Sequence, residues 1–368
     1  MTKAIRKIAI MTGGGDAPGL NAVIRAVVIA ALEQGWECIG IRDSYNGFLE
    51  PERYADGGFI VMNRQIVRGI THLGGTILGT TNKGNPFEYT LTGEDGQPYH
   101  KNRASDLIDA FKQHQIDALV AIGGDGALSI AYSLAQKGGP PVMGVPKTID
   151  NDLAQTTSTF GFDTAVSFAT ECIDRLHATG HAHSRTMVVE VMGRNAGWIA
   201  LEAGVAGTAD VILIPEIPYD IHIVAQKIKQ REATGHHFSI VVVAEGAKPK
   251  NGTVSVVERP GGAKRLGGIG EKVAEELQAL TGKDVRAVTL GHLLRGGTPT
   301  AFDRLISLRF GAAAVRGLAA GEQNVMVALN PPTIRFVPLA DATKEIKRVP
   351  LDSDIIQTAR ELGTSFGD

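Results

Sequence analysis

At 368 residues the chain is longer than one ordinary hydrophobic core accommodates, so two α/β lobes are expected. Its formal charge is −2 at pH 7, with 37 basic and 39 acidic side chains intermixed. That balance excludes the concentrated positive face that nucleic acid or an anionic membrane would require. Two cysteines exclude a disulfide scaffold and a cysteine-rich metal site. Cys38 and Cys172 read as buried structural thiols in a reducing compartment.

The first residues run straight into a core strand, Lys7–Met11, with no secretory signal pattern. The longest apolar run, Val23–Ala31, carries Arg25 and is too short to span a bilayer, so a cytoplasmic protein is expected. After the first strand come Thr12-Gly-Gly-Gly-Asp-Ala-Pro-Gly-Leu-Asn21 and a helix from about Asn21 to Gln34, stopped by Gly35. Trp36–Ile41 reads as a strand, Tyr45-Asn-Gly47 as a loop and Arg64–Thr71 as a short helix. Two turns follow, Leu73-Gly-Gly-Thr-Ile-Leu-Gly79 and Thr80-Thr-Asn-Lys-Gly-Asn-Pro-Phe87, then a hairpin around Asp95-Gly96. Ala104–His114 has Leu107, Ile108 and Phe111 on one helical face. Asp117–Ile122 is a strand, a helix follows Gly126, and Pro141–Val145 is a strand buried on both faces and ended by Pro146.

The second half repeats this alternation. Helices are expected near Thr164–Thr179, Ile221–Arg231, Glu271–Leu280 and Asp303–Arg316. Strands are expected at Thr186–Val191, Val211–Ile214, Ser239–Ala244, Val285–Leu290 and Asn324–Leu329, with a polar helix or two in the tail. Lys248–Lys264 reads as a mobile loop or weak hairpin. Strands alternating with helices predict mainly parallel sheets covered on both faces.

Chemistry gathers at the strand ends, where open α/β sheets bind ligands. In Gly144-Val-Pro-Lys-Thr-Ile-Asp-Asn-Asp152, a carboxylate pair with Lys147 and Thr148 suits proton abstraction beside bound phosphate; plain helix caps are the alternative. Gly123-Gly124-Asp125-Gly126 exposes backbone and a carboxylate together. It suits Mg²⁺ and a polyphosphate, or else a tight turn with Asp125 as cap. Gly13-Gly-Gly15 lacks the dinucleotide fingerprint, and no P-loop occurs. Arg185, Arg194, Arg286 and Arg295 stand at turns or strand starts. They can converge on a phosphate ester or serve as surface ion pairs. His292 sits in a glycine turn suited to a phosphate or hydroxyl contact, or else serves as a structural histidine.

Taken together, Thr12–Ala22, Gly74–Gly79, Gly123–Gly126, Pro146–Asp152, Met192–Arg194, Ala244-Glu245 and Leu290–Gly297 resemble the 6-phosphofructokinase family, in its order and along almost the whole chain. The resemblance implies two similar three-layer α/β lobes: residues 1–160 with about 294–340 on the nucleotide side, and 161–293 with about 341–368 on the sugar side. It implies that Asp150 takes the proton of the fructose 6-phosphate C1 hydroxyl during attack on a γ-phosphoryl group. Thr148, Asp152 and Lys147 would assist, and Asp125 would hold Mg²⁺. Gly15, Tyr45, Lys83, Gly124, Asp125 and Gly126 would flank the nucleotide. Met192, Gly193, Arg194, Glu245, Arg286, His292 and Arg295 would surround the sugar phosphate, with Arg185 supplied by a neighbouring subunit of a homotetramer or homodimer.

The donor depends on two positions. In this family, glycine after the Gly-Gly-Asp aspartate accompanies ATP, and aspartate there accompanies pyrophosphate. Gly126 leaves room for the α-phosphate, while Lys147 stands where pyrophosphate enzymes have lysine. Steric exclusion outweighs added attraction, so ATP is expected, with pyrophosphate the alternative. A non-catalytic sugar-phosphate or nucleotide-binding regulator is the reading of another class, disfavoured by Asp125, Asp150 and Arg295. The loop arginine of the family is replaced by Asn82, with Lys83 beside it. At the effector site only Arg25 matches. Ile29, His177, Thr234 and His236 stand where basic residues bind ADP or phosphoenolpyruvate, so weak regulation of that kind is expected.

Overall fold

The computed structural model describes residues 4–258 and 264–368. Its strands are β1 (Lys7–Thr12), β2 (Glu37–Ile41), β3 (Phe59–Val61), β4 (Tyr89–Thr92), β5 (Pro98–Lys101), β6 (Ala118–Gly123), β7 (Val142–Pro146), β8 (Thr186–Val191), β9 (Val211–Leu213), β10 (Ser239–Ala244), β11 (Val256–Glu258), β12 (Lys264–Leu266), β13 (Val285–Thr289), β14 (Val325–Asn330) and β15 (Thr333–Pro338). The helices are α1 (Leu20–Glu33), α2 (Asn46–Leu49), α3 (Ala104–Gln113), α4 (Asp125–Gln136), α5 (Phe162–His183), α6 (Trp198–Ala206), α7 (Ile221–Ala233), α8 (Ile269–Thr281), α9 (Ala301–Ala319), α10 (Leu339–Ala342) and α11 (Asp354–Glu361). They form two compact units, each made from three stretches of chain. One comprises Met1–Thr148, Leu153–Gly161 and Arg295–Glu345; the other comprises Ile149–Asp152, Phe162–Leu294 and Ile346–Asp368.

The first unit is built on a seven-stranded sheet in the order β15-β14-β7-β6-β1-β2-β3, parallel except for its two edge pairs. Successive side chains of a strand point to opposite faces. Ile8 and Ile10 therefore join the core beneath α1 and α9, while Ala9 and Met11 join the core beneath α3 and α4. Both faces are covered, which is why these strands read as unbroken apolar runs. Helices α1 and α9 pack closely: a Cβ on Gly311 would lie 2.7 Å from both the Ala26 methyl and the Val23 carbonyl oxygen.

The second unit holds a four-stranded, fully parallel sheet, β13-β8-β10-β9. Helices α7 and α8 bury Val224, Ile228, Val273 and Leu277 against Val188, Val241 and Val243 on one face. Helices α5 and α6 cover the other.

Two local expectations are corrected. Arg64–Thr71 forms turns rather than a helix: the Asn63 side chain accepts from Gln65 and Ile66 as a cap would, but Gly69 adopts φ 76° and ends the attempt. Tyr45-Asn-Gly47 leads into the short helix α2. Helix α6 and strand β15 were not anticipated. The stretch 248–264 contains the antiparallel pair β11–β12, and its residues 259–263 lie outside the described ones. Cys38 is buried in β2, which pushes its thiol up to about 12; Cys172, in α5, is shifted upward by burial as well. No helix among the described residues is long and apolar enough to cross a membrane.

Candidate active site

The first unit's sheet reverses its order at β1, with β2 on one side and β6 and β7 on the other. A crevice opens at the carboxyl ends of strands at such a point. Two turns leave the sheet there. The Gly13 amide donates to the Ile122 carbonyl at 3.0 Å, which joins the Gly13–Gly15 turn to the end of β6. The Gly14 amide donates to the Thr81 carbonyl at 3.1 Å, and the Thr80 hydroxyl to the Gly14 carbonyl at 2.6 Å. These bonds bring the loop of Asn82 and Lys83, both exposed, to the glycine turn.

Lys147 is buried at the end of β7. Its amide donates to the Gly123 carbonyl at 3.0 Å and its ammonium to the Gly15 carbonyl, so its positive charge is delivered to the turn itself. Arg295 lies here too: Nη1 donates to the Asp16 carbonyl at 3.1 Å. A Cβ on residue 15 would come within 2.6 Å of that nitrogen, so only glycine leaves the guanidinium this place.

Asp125 is the first residue of α4 and is exposed. The N-cap is Gly124 and makes no side-chain cap bond, so the structure does not use Asp125 as the cap. Its carboxylate stands at the positive end of the helix dipole. At the exposed Gly126 an added Cβ would meet nothing within 4 Å. Among the described residues no group of three or more His, Cys, Asp or Glu side chains could cage a metal. One exposed carboxylate beside open space instead fits an ion of the Mg²⁺ type, which takes a protein carboxylate or two and completes its shell with phosphate and water oxygens. Tyr45 departs from expectation. Its ring is enclosed in the core, its hydroxyl has no partner among the described residues, and burial pushes its pKa up. It presents no open face to a nucleotide.

In the second unit the carboxyl ends of β8, β10 and β13 carry Met192-Gly193-Arg194, Glu245 and Leu290-Gly291-His292. The Glu245 amide donates to the Val191 carbonyl at 2.9 Å, Gly246 to Gly193 at 3.1 Å and Leu290 to Glu190 at 2.9 Å, so the three turns form one ledge. Met192 and Gly193 are buried in it, and Arg194 and His292 are exposed. Asp150, Asn151 and Asp152 belong to this unit, whereas Lys147 and Thr148 belong to the other. No helix begins in the ten residues after Asp150, since α5 starts at Phe162, so neither carboxylate is a helix cap.

Arg185 and Arg286 do not join the ledge. They stand at the opposite ends of β8 and β13, where both pair with Asp284, Arg286 at 3.0 Å. Strands of five and six residues separate them from it by roughly 15–20 Å. Of the effector positions, His177 donates through Nε2 to the Gly207 carbonyl at 2.7 Å, and Thr234 donates to the Arg231 carbonyl at 2.8 Å. Arg25 donates to the Val67 carbonyl at 2.9 Å. The long-range Lys347, close to Asn151, had no signal in the local pattern.

A family model for phosphofructokinase matches residues 7–318. The chain belongs to the phosphofructokinase family. Among phosphofructokinases, the ATP-dependent 6-phosphofructokinase of Chloroflexus aggregans is 52% identical over 370 residues, covering 100% of this chain and 99% of its own. The pyrophosphate–fructose 6-phosphate 1-phosphotransferase of Amycolatopsis methanolica is 47% identical over 351 residues, covering 94% of this chain and 96% of its own. The crystal structure of Pichia pastoris phosphofructokinase in the T-state aligns with a TM-score of 0.78 at 30% identity. The match covers 93% of this chain, which spans 36% of that longer one.

Proposed function

We propose that the chain is an ATP-dependent 6-phosphofructokinase, transferring the γ-phosphoryl group of ATP to the C1 hydroxyl of fructose 6-phosphate in glycolysis. The observation that carries this reading is the pair of glycine turns on either side of the β1–β6 reversal, with Asp125 exposed and Gly126 unobstructed. Phosphoryl transfer depends on positioning and charge neutralisation more than on covalent chemistry by the protein. Backbone amides of the two turns, Lys83 and the Lys147 charge hold the donor, and Arg194, His292 and Glu245 hold the sugar phosphate. Asp150 accepts the proton as the C1 oxygen bonds to phosphorus and the bridging oxygen leaves with ADP; Asp152 and Thr148 assist. When bound at Asp125, Mg²⁺ offsets charge on the phosphate oxygens.

Arg295 lies with the glycine turn in this structure. Its guanidinium is assigned to the sugar phosphate, the role that the family resemblance implies. Arg185 and Arg286, at the far ends of their strands, support a site completed by a neighbouring copy, in a homotetramer or homodimer. The Amycolatopsis relative and Lys147 favour pyrophosphate as the second reading of the donor.

The test is steady-state kinetics with each donor, on wild type and on Asp150→Asn. The wild type uses ATP in preference to pyrophosphate. The variant lowers kcat by about 10²–10⁴ with little change in KM. A variant retaining more than a tenth of the wild-type kcat removes Asp150 from the chemistry.

A further inference from the structure

Asn151, between the two carboxylates, sits at φ 50°, in the left-handed region that asparagine tolerates better than most residues. A turn in that conformation needs outside support. It comes from 196 residues further along the chain: the Lys347 ammonium donates to the Asn151 side-chain oxygen at 2.8 Å. The Lys347 amide donates to the Asp152 carbonyl, also at 2.8 Å. The Trp198 indole in turn donates to the Lys347 carbonyl at 2.9 Å, and the ammonium lies 5.5 Å from the centre of the Trp198 ring. Two residues on, the Val349 amide donates at 3.0 Å to the Glu216 carboxylate. The same carboxylate takes the Gly197 amide at 3.1 and 3.2 Å. A strap of residues 346–349 is thus bonded on one side to the carboxylate turn. On the other it is bonded to the end of the turn that begins at Met192. All of these residues lie in the second unit.

We propose that Lys347 is a positioning residue for the reaction: by gripping Asn151 it sets the direction in which Asp150 points, and through the strap it keeps that direction in register with the sugar-recognising turn. The inference rests on Asp150 being the proton acceptor. A charged amine that is largely withdrawn from water is costly to keep, and here it holds a backbone turn. Burial lowers the Lys347 pKa to about 8, opposed by Asp152 on the turn and Glu202 on α6. Glu202 itself is pushed up to about 7 by burial, with Asp163, at the start of α5, adding to the rise. Loss of the Lys347 charge therefore falls within the range over which activity is assayed, and the grip on Asn151 weakens with it.

The experiment compares Lys347→Met, Lys347→Arg and Asp150→Asn by kcat, KM for each substrate, pH profile and thermal melting. Lys347→Met lowers kcat about 10- to 100-fold with both KM values within about twofold, because misplacing a reacting group by an ångström costs on that order. Lys347→Arg restores most of the rate. Its guanidinium does not titrate in this range, so the fall in kcat that begins near pH 8 in the wild type moves to higher pH. A Lys347→Met enzyme that melts normally and keeps kcat within twofold overturns the inference. So does an alkaline fall that stays in place in Lys347→Arg, which decides the matter if the methionine variant does not fold. If Asp150→Asn collapses the rate while Lys347→Met does not, only the positioning role fails. If Asp150→Asn retains its rate, the assignment of the proton acceptor fails first.

Discussion

Gly126→Asp is a clean perturbation because the protein itself has no objection to it. The residue is exposed, its φ lies outside the left-handed region, and the new Cβ meets nothing within 4 Å. As the second residue of α4 it stands in the first turn, where a carboxylate stabilises a helix by about 0.3–1 kcal/mol and loss of a glycine adds several tenths more. Stability should therefore hold or rise. The cost falls on the ligand. A carboxylate about 5 Å from a phosphate charge is repelled by about 1 kcal/mol under full water screening, and by about 3 kcal/mol at an effective dielectric of 20. Those values correspond to roughly 5- to 150-fold in affinity per charge, before any overlap with the nucleotide is counted. The expected result is a loss of kcat/KM for ATP of tenfold or more, little loss for pyrophosphate, and an unchanged or higher melting temperature. Coupled assays with each donor and a melt on the same preparation measure all three. Unchanged ATP kinetics in a folded variant would refute the argument that vacant space at this position selects the donor.

Other substitutions probe different joints. Gly15→Ala pushes a methyl into the Arg295 guanidinium, whose flexible end can yield, so the variant should fold but lose affinity for fructose 6-phosphate. In a double-mutant cycle with Arg295→Ala the two losses should overlap; full additivity would show that the contact carries nothing. Glu202 has a folded pKa raised to about 7 from an ordinary 4.5, so its contribution to stability is complete below about pH 4.5 and is lost as pH rises through 7. Glu202→Gln should abolish that part of the pH dependence, on the order of 1–3 kcal/mol between pH 5 and 8 by denaturant titration. Neither ADP nor phosphoenolpyruvate should change fructose 6-phosphate kinetics more than about twofold. His177 and Thr234 are bonded internally and are not the cations an anion pocket needs. Strong activation or inhibition by either would reverse that reading.

What could be read in the sequence follows the physics of burial. Strands β8 and β10 match their expected limits because each is a valine-rich, fully buried run closed by a glycine-containing turn. Helix α6 escaped because it is apolar on nearly every side, with Glu202 its one charged residue: Ile199, Ala200, Leu201, Ala203 and Gly204 are all buried, so no amphipathic stripe marks it. Strand β15 escaped because it is a half-exposed antiparallel edge containing Arg335, preceded by two prolines. The site divides in the same way. Glycine turns announce themselves locally, and so the turns at the strand ends were legible. Their partners were not. That Arg295 lies against Gly15, that Arg286 sits at the wrong end of its strand for the ledge, and that Lys347 grips Asn151 are facts of long-range pairing, which no local period encodes.

The interleaving of the two units has a consequence for how the polypeptide is made. Strand β14 adds to the central sheet beside β7, and α9 covers α1. About 180 residues separate β7 from β14, so a ribosome adding roughly 5–20 residues per second leaves that flank unfinished for about 10–40 s. During that interval the emerging polypeptide carries the apolar flank of a half-built sheet, a natural customer for chaperones, and cutting the gene at residue 160 would yield no self-sufficient half.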